Sequence, residues 1–274
     1  MSMIKLLDKV SLQGTASLNE DAFASKDNFI ALVDGATNVH EEGFSPQTFA
    51  QTLANNLVKH HNSSKPMAAL ILQVLQEIQR SYAKEKLKEK LYPSASMLTV
   101  ELKDNLLTFH SLGDCTALIK LTDKSIIRLH DDKVTQLDEE LIAKVKAIAL
   151  EENIPIKNAR NHITELLKVN RQKQNAIGGY WIAEPTGKGV SALRKFSIEA
   201  SLVKTLALMT DGFVAYQNIN GFNDYEFLTA IKLFGAKAIS HRIAQVYAKD
   251  ADWSTFPRLK ERDDATCLVL EVDH

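Results

Sequence analysis

Acidic residues recur where apolar, strand-like runs stop. Phe29-Ile30-Ala31-Leu32-Val33 meets Asp34-Gly35, and Leu206-Ala207-Leu208-Met209-Thr210 meets Asp211-Gly212. Phe109-His110-Ser111-Leu112-Gly113 ends in Asp114, while Asp263-Asp264 opens Ala265-Thr266-Cys267-Leu268-Val269-Leu270. A single junction of this kind is an ordinary Asp-Gly turn. Repeated along the chain, it places carboxylates at the lip of a buried sheet and suggests a shared site for a hard cation. On this reading Asp34 is the first residue of a turn, and Gly35 lets the backbone turn sharply or approach a ligand closely.

The pattern between these junctions sets the fold class. Residues 3–12 and 20–34 read as strands, with 14–19 as the turn between them. Ser45-Pro46 is a helix start, a hydroxyl cap followed by proline, and the helix runs to about His60. Met67, Leu70, Ile71, Val74, Leu75 and Ile78 share one helical face, and that helix is predicted to reach about Leu91, before Pro93. Residues 97–102, 106–111 and 116–121 read as a meander of short strands. Further strands are predicted over 196–200, 205–210 and 265–272, and helices over 225–233 and 236–247. Helices followed by an antiparallel sheet argue for layered α+β rather than a doubly wound parallel fold. Residues 131–175, charged and with narrow apolar stripes at Leu141, Ile142, Val145, Ile148 and Ala149 and at Ile163, Leu166 and Leu167, read as a helical insertion within a single domain spanning 1–274.

Bulk properties exclude several classes. The net charge of -1 gives no attraction to nucleic acid or to a membrane surface, and no apolar stretch reaches spanning length. The Lys84–Lys90 run alternates with Glu85 and Glu89 and reads as a solvated helix face. Cys115 and Cys267 fit no zinc or redox spacing and are expected as buried thiols. No secretion signal is evident at residue 1, so a cytoplasmic setting is expected. Asp34-Gly35-Ala36 lacks the second aspartate of haloacid dehalogenase phosphatases. Pro185-Thr186-Gly187-Lys188-Gly189 lacks the upstream glycine of a phosphate loop.

In order along the chain, five motifs resemble those of the metal-dependent protein phosphatases of type 2C. They are Asn19-Glu20-Asp21-Ala22-Phe23, Val33-Asp34-Gly35, Leu112-Gly113-Asp114-Cys115-Thr116-Ala117, Thr210-Asp211-Gly212-Phe213 and Asp263-Asp264-Ala265-Thr266. The resemblance implies a four-layer αββα sandwich, two antiparallel sheets face to face with helices outside, and a helical flap at 131–175. It implies two Mn2+ or Mg2+ ions at one end and hydrolysis of phosphoserine and phosphothreonine in a phosphorylated protein substrate. Asp34 would bridge both ions, the Gly35 carbonyl and Glu20 would serve one, and Asp211 and Asp263 the other. Asp114, with Asp211, would match a weaker third position, and Asp21 would support the set. Asp34, Asp211 and Asp263 would therefore carry catalysis. Oxygen ligands suit hard divalent ions, and a close pair of such ions lowers the pKa of a shared water and neutralises phosphoryl charge.

The chain departs from that pattern where phosphate is gripped. The family's arginine, three residues ahead of the Asn-Glu-Asp triplet, is replaced by Ala16, which removes a bidentate clamp. Ala36-Thr37-Asn38 stands where a histidine and small residues are usual. His40 and Arg262 are the candidates to contact substrate phosphate instead. Asp264 replaces the common asparagine, adding a charge that tightens cation binding or is merely solvated. Three readings stay open: a Ser/Thr protein phosphatase, a phosphatase of a small phosphomonoester, and a catalytically weak regulatory module of the same fold.

Overall fold

The structure is a computed structural model describing residues 2–37, 44–84 and 92–273. Chain order gives β1 (Met3–Leu12), β2 (Asp21–Lys26), β3 (Phe29–Ala36), α1 (Pro46–His60), α2 (Met67–Lys84), β4 (Ser94–Lys103), β5 (Leu106–Leu112), β6 (Thr116–Leu121) and β7 (Ile126–Leu129). Then come α3 (Asp132–Glu152), α4 (Ile156–Ala159), α5 (Thr164–Gln172), β8 (Arg194–Glu199), β9 (Val203–Met209), α6 (Asp211–Asn220), α7 (Asp224–Phe234), α8 (Ala236–Lys249) and β10 (Ala265–Asp273). Among the described residues the strands form two five-stranded antiparallel sheets, in the orders β1-β10-β9-β6-β7 and β2-β3-β4-β5-β8.

The two-residue period of the strands explains the layers. In β3, Ile30 and Leu32 join Leu98, Val100 and Phe109 of their own sheet and Ala117, Leu206, Leu208, Leu268 and Leu270 of the other, forming the inter-sheet core. The alternate residues Ala31 and Val33 face outward onto Phe49, Leu53 and Leu57 of α1 and Leu70, Ile71 and Val74 of α2. On the far side Leu118, Ala207, Met209, Cys267 and Val269 meet α6, α7 and α8. The result is the expected α+β sandwich of four layers. Both cysteines are free and buried within it. Among the described residues no helix is long and apolar enough to cross a membrane.

Four local expectations are corrected. The strand read over 20–34 is a hairpin, with Lys26 paired to Phe29 around Asp27, whose φ is 51°; an aspartate tolerates that left-handed conformation, and the apolar pattern continues through the turn and hides it. Asp34 and Gly35 do not open a turn, because they pair with Ser96 and Ala95 inside β3. The meander breaks after β5, since β6 pairs with β9 and β7 in the opposite sheet. Asp211 begins a helix, where a carboxylate favours the positive N-terminal end. The predicted end of α2 near Leu91 lies outside the described residues.

The 131–175 segment contains α3, α4 and α5 around Leu141, Val145, Ala149, Ala159 and Ile163, with Leu259 packed against them. Its contacts with the rest of the chain include Arg160, which donates to the Leu259 carbonyl, Lys157 paired with Glu261, Asp131 paired with Arg194, and Arg171.

Candidate metal centre and active site

Strand register brings the first acids together. Asp21 lies across from Asp34, and Asp34 across from Ser96, so one row of the sheet carries all three. The Ser96 hydroxyl donates to Asp114 Oδ1 at 2.5 Å and accepts from the Asp114 backbone N–H at 3.2 Å. This fixes the acid at the point where the chain crosses to the other sheet. From that sheet, the Thr210 hydroxyl donates to Asp21 Oδ2 at 2.9 Å, and the Thr266 backbone N–H donates to Thr210 Oγ1 at 3.0 Å. Asp211 and Asp263 follow Thr210 and precede Thr266 respectively, so this bridge sets them beside the row.

The glycine after two of these aspartates has a steric reason. A Cβ on Gly35 would stand 2.7 Å from the Glu20 carbonyl oxygen, and one on Gly212 would stand 1.9 Å from that of Asp264. Each Asp-Gly pair therefore interlocks with another acidic motif, and the Gly35 N–H donates to that same Glu20 carbonyl at 3.0 Å.

The acids act on one another electrostatically. Burial first, and then the charges of Asp21, Asp211, Asp114 and Asp263, hold the Asp34 carboxyl well above the usual carboxylate range. Burial, then Asp263 and Asp114, do the same to Asp211. Asp21, only 6% exposed, is pushed up to about 7 by burial, against hydrogen bonds from Thr266 and Thr210. Burial raises Glu20 as well, opposed by the Thr37 hydroxyl, which donates to its Oε2. Like charges gathered under low dielectric favour the protonated form unless a cation neutralises them. The donor set is all carboxylate, which suits Mg2+ or Mn2+. Among the described residues no three His, Cys, Asp or Glu side chains close on one point at metal-holding spacing. Asp21, Asp114 and Glu20 each give one oxygen to a protein hydroxyl and keep the other available, whereas Asp263 gives both to Lys260.

Glu20, Asp21, Asp34, Gly35, Asp114, Asp211 and Asp263 thus lie at one end of the sandwich. The proposed phosphate contacts are less well placed. The Arg262 Nη2 donates to the carbonyls of Gln13 and Gly14 at 3.0 and 3.1 Å, tying down the β1–β2 loop. His40 lies outside the described residues. Asp264 is neither solvated nor turned to a cation: its carboxylate accepts the Gly14 and Glu20 backbone N–H groups, each at 2.6 Å. Ala16 is exposed.

Three residues of this end escape sequence reading. Lys260 donates to both oxygens of Asp263, at 2.9 and 2.7 Å. Partial loss of hydration alone would lower its ammonium, but Asp263 and Asp211 outweigh that and raise it. Asp138 of α3 is pushed up to about 6 by burial and by Asp114. Arg171 of α5 donates to the Thr37 carbonyl at 2.7 Å and to Ser94 Oγ at 3.2 Å. A charged helix has many such residues, and nothing in its spacing marks these two; only Lys260, three residues before Asp263, carried a signal, as an i,i+3 partner of the motif.

Comparisons with known proteins bear on the family and the fold. A family model described as protein phosphatase 2C matches residues 11–245. No curated protein matches the chain. Among solved structures, the chain is similar to the catalytic domain of the serine/threonine phosphatase PstP in complex with two manganese ions, at 15% identity and a TM-score of 0.60, covering 100% of both chains. It is similar to the Mycobacterium tuberculosis phosphatase PstP/Ppp at 15% identity and a TM-score of 0.60, covering 99% of this chain and 100% of that one. For Stp1 from Staphylococcus aureus the values are 13%, 0.57, 100% and 96%. At these identities the likeness is one of fold.

Proposed function

Because the chain belongs to the protein phosphatase 2C family, we propose that it removes phosphate from phosphoserine and phosphothreonine in proteins, using a pair of Mn2+ or Mg2+ ions. The observation that carries this reading is the convergence of Asp34, from β3 of one sheet, and Asp211, at the start of α6 just after β9 of the other, so that the Asp211 charge acts on Asp34 together with those of Asp21, Asp114 and Asp263. Asp34 would bridge the ions, with the Gly35 carbonyl and Glu20 on one side and Asp211 and Asp263 on the other; Asp114 offers a weaker third position. When bound, the pair supplies an activated water at neutral pH and positive charge for the phosphoryl oxygens. The chain's own residues do the rest. Thr37 orients Glu20, Ser96 orients Asp114, and Thr210 with Thr266 fixes Asp21. We read 1–274 as one domain in a cytoplasmic setting, with 131–175 as a flap over the site.

The test is turnover with Mn2+ on phosphoserine and phosphothreonine peptides against small phosphomonoesters. Higher kcat/KM on peptides is the expected result. Turnover confined to small esters would point to the second reading, and Mn2+ binding without any turnover to a binding module. Exposed Ala16 is the feature that favours those alternatives. Restoring the guanidinium with Ala16→Arg is expected to lower KM for p-nitrophenyl phosphate roughly tenfold, the effect of one charged hydrogen bond. An unchanged KM would place phosphate binding elsewhere, with Arg171 the next residue to vary.

A further inference from the structure

We propose that the ammonium of Lys260 is a built-in counter-cation that occupies Asp263 and competes with a divalent ion for it. The inference rests on Asp263 being a ligand, as proposed above, and adds a control on how tightly the centre takes up its ion. Lys260 Nζ contacts both Asp263 oxygens, so neither is free to ligate while the pair stands. The same charge also acts on Glu20, Asp34, Asp138, Asp211 and Asp264, so it sits among the acids rather than beside one of them.

The backbone on both sides of Lys260 is anchored. Upstream, Arg258 forms a buried ion pair with Asp250 at 2.6 Å and donates to the carbonyls of Phe256, Glu261 and Asp250. Downstream, Arg262 holds the Gln13 and Gly14 carbonyls, and Asp264 accepts from Gly14 and Glu20. The segment that carries Lys260 is therefore fixed beside Asp263, and only the lysine side chain itself must be ordered to form the pair. Its side chain is still 44% exposed, so the ammonium has water to swing into when an ion displaces it. A lysine suits this role because its point charge rides on a flexible stem.

Isothermal titration of the metal-stripped full chain with Mn2+ tests the proposal. Lys260→Gln is expected to tighten the weaker Mn2+ dissociation constant roughly threefold to tenfold, the range for losing a partly screened competing charge. Lys260→Arg, which keeps the charge, is expected to stay within about twofold of wild type. Lys260→Gln is also expected to lower the Tm of the metal-free protein and to enlarge the Tm gain on adding Mn2+. Equal or weaker Mn2+ binding by Lys260→Gln overturns the proposal, because the lysine would then be inert or would hold Asp263 ready for the ion. If Asp34→Asn abolishes Mn2+ uptake while Lys260→Gln changes nothing, only this inference fails. If wild type takes up no Mn2+, both it and the metal-centre reading fall.

Discussion

Replacing Asp34 by asparagine is expected to lower kcat/KM for any phosphomonoester on the order of a thousandfold or more. The substitution keeps shape and removes one charge from the residue that both sheets converge on. An amide oxygen is a weaker ligand than a carboxylate and is poorly suited to sharing between two cations. The same change is expected to leave the fold intact and to raise the Tm of the metal-free protein, because Asp34 is held protonation-prone by burial and by Asp21, Asp211, Asp114 and Asp263. Opposite signs for activity and stability separate loss of function from loss of structure. Activity within about tenfold of wild type would remove Asp34 from the catalytic account.

Stripping divalent ions with EDTA is expected to abolish turnover, and Mn2+ to restore it. It is also expected to expose a pH dependence of stability that the loaded protein lacks. Asp21 goes from an ordinary 3.8 to about 7 on folding, and Asp34 and Asp211 move in the same direction. A raised carboxyl binds its proton more tightly in the folded state. Its stabilising contribution is complete below about pH 4 and is lost as pH rises through about 7, a change of a few kcal/mol for Asp21 alone. Metal-free protein should therefore lose Tm from pH 4.5 to 7.5, roughly the window between the unfolded and folded values. With Mn2+ the trend should flatten, since ligands bind metal in their deprotonated form. A metal-free Tm that rises over that window would show that the acids do not burden one another.

Much of this centre could be read from the sequence because its residues fall at strand ends, and strand ends are periodic features. Asp34, Asp114, Asp211 and Asp263 each flank an apolar run, so local pattern placed them at one edge of a sheet, whereas Glu20 and Asp21 were reached only through the family resemblance. The interlock behind the Asp-Gly pairs was hidden, since Gly35 answers to Glu20 and Gly212 to Asp264, contacts that need the folded backbone. Crossing from β5 to β6 was hidden for the same reason. An alternating apolar strand looks alike whichever sheet receives it, and only the shared inter-sheet core decides. Asp138 and Arg171 come from helices whose own periodicity reports the cluster around Leu141 and Val145, not what their polar faces reach.

The place of β10 has a consequence for biosynthesis. This strand lies between β1 and β9, although its residues are translated long after either of them. Until the ribosome has delivered it, β1 has no neighbour in its sheet, the Thr210–Thr266 bridge is missing, and Asp263 and Asp264 have not joined the other acids. Closing a pair so distant along the chain is a slow step that follows local folding. A nascent chain would then stay inert toward phosphate esters until β10 emerges, and hydrolytic competence would arrive at once with that strand.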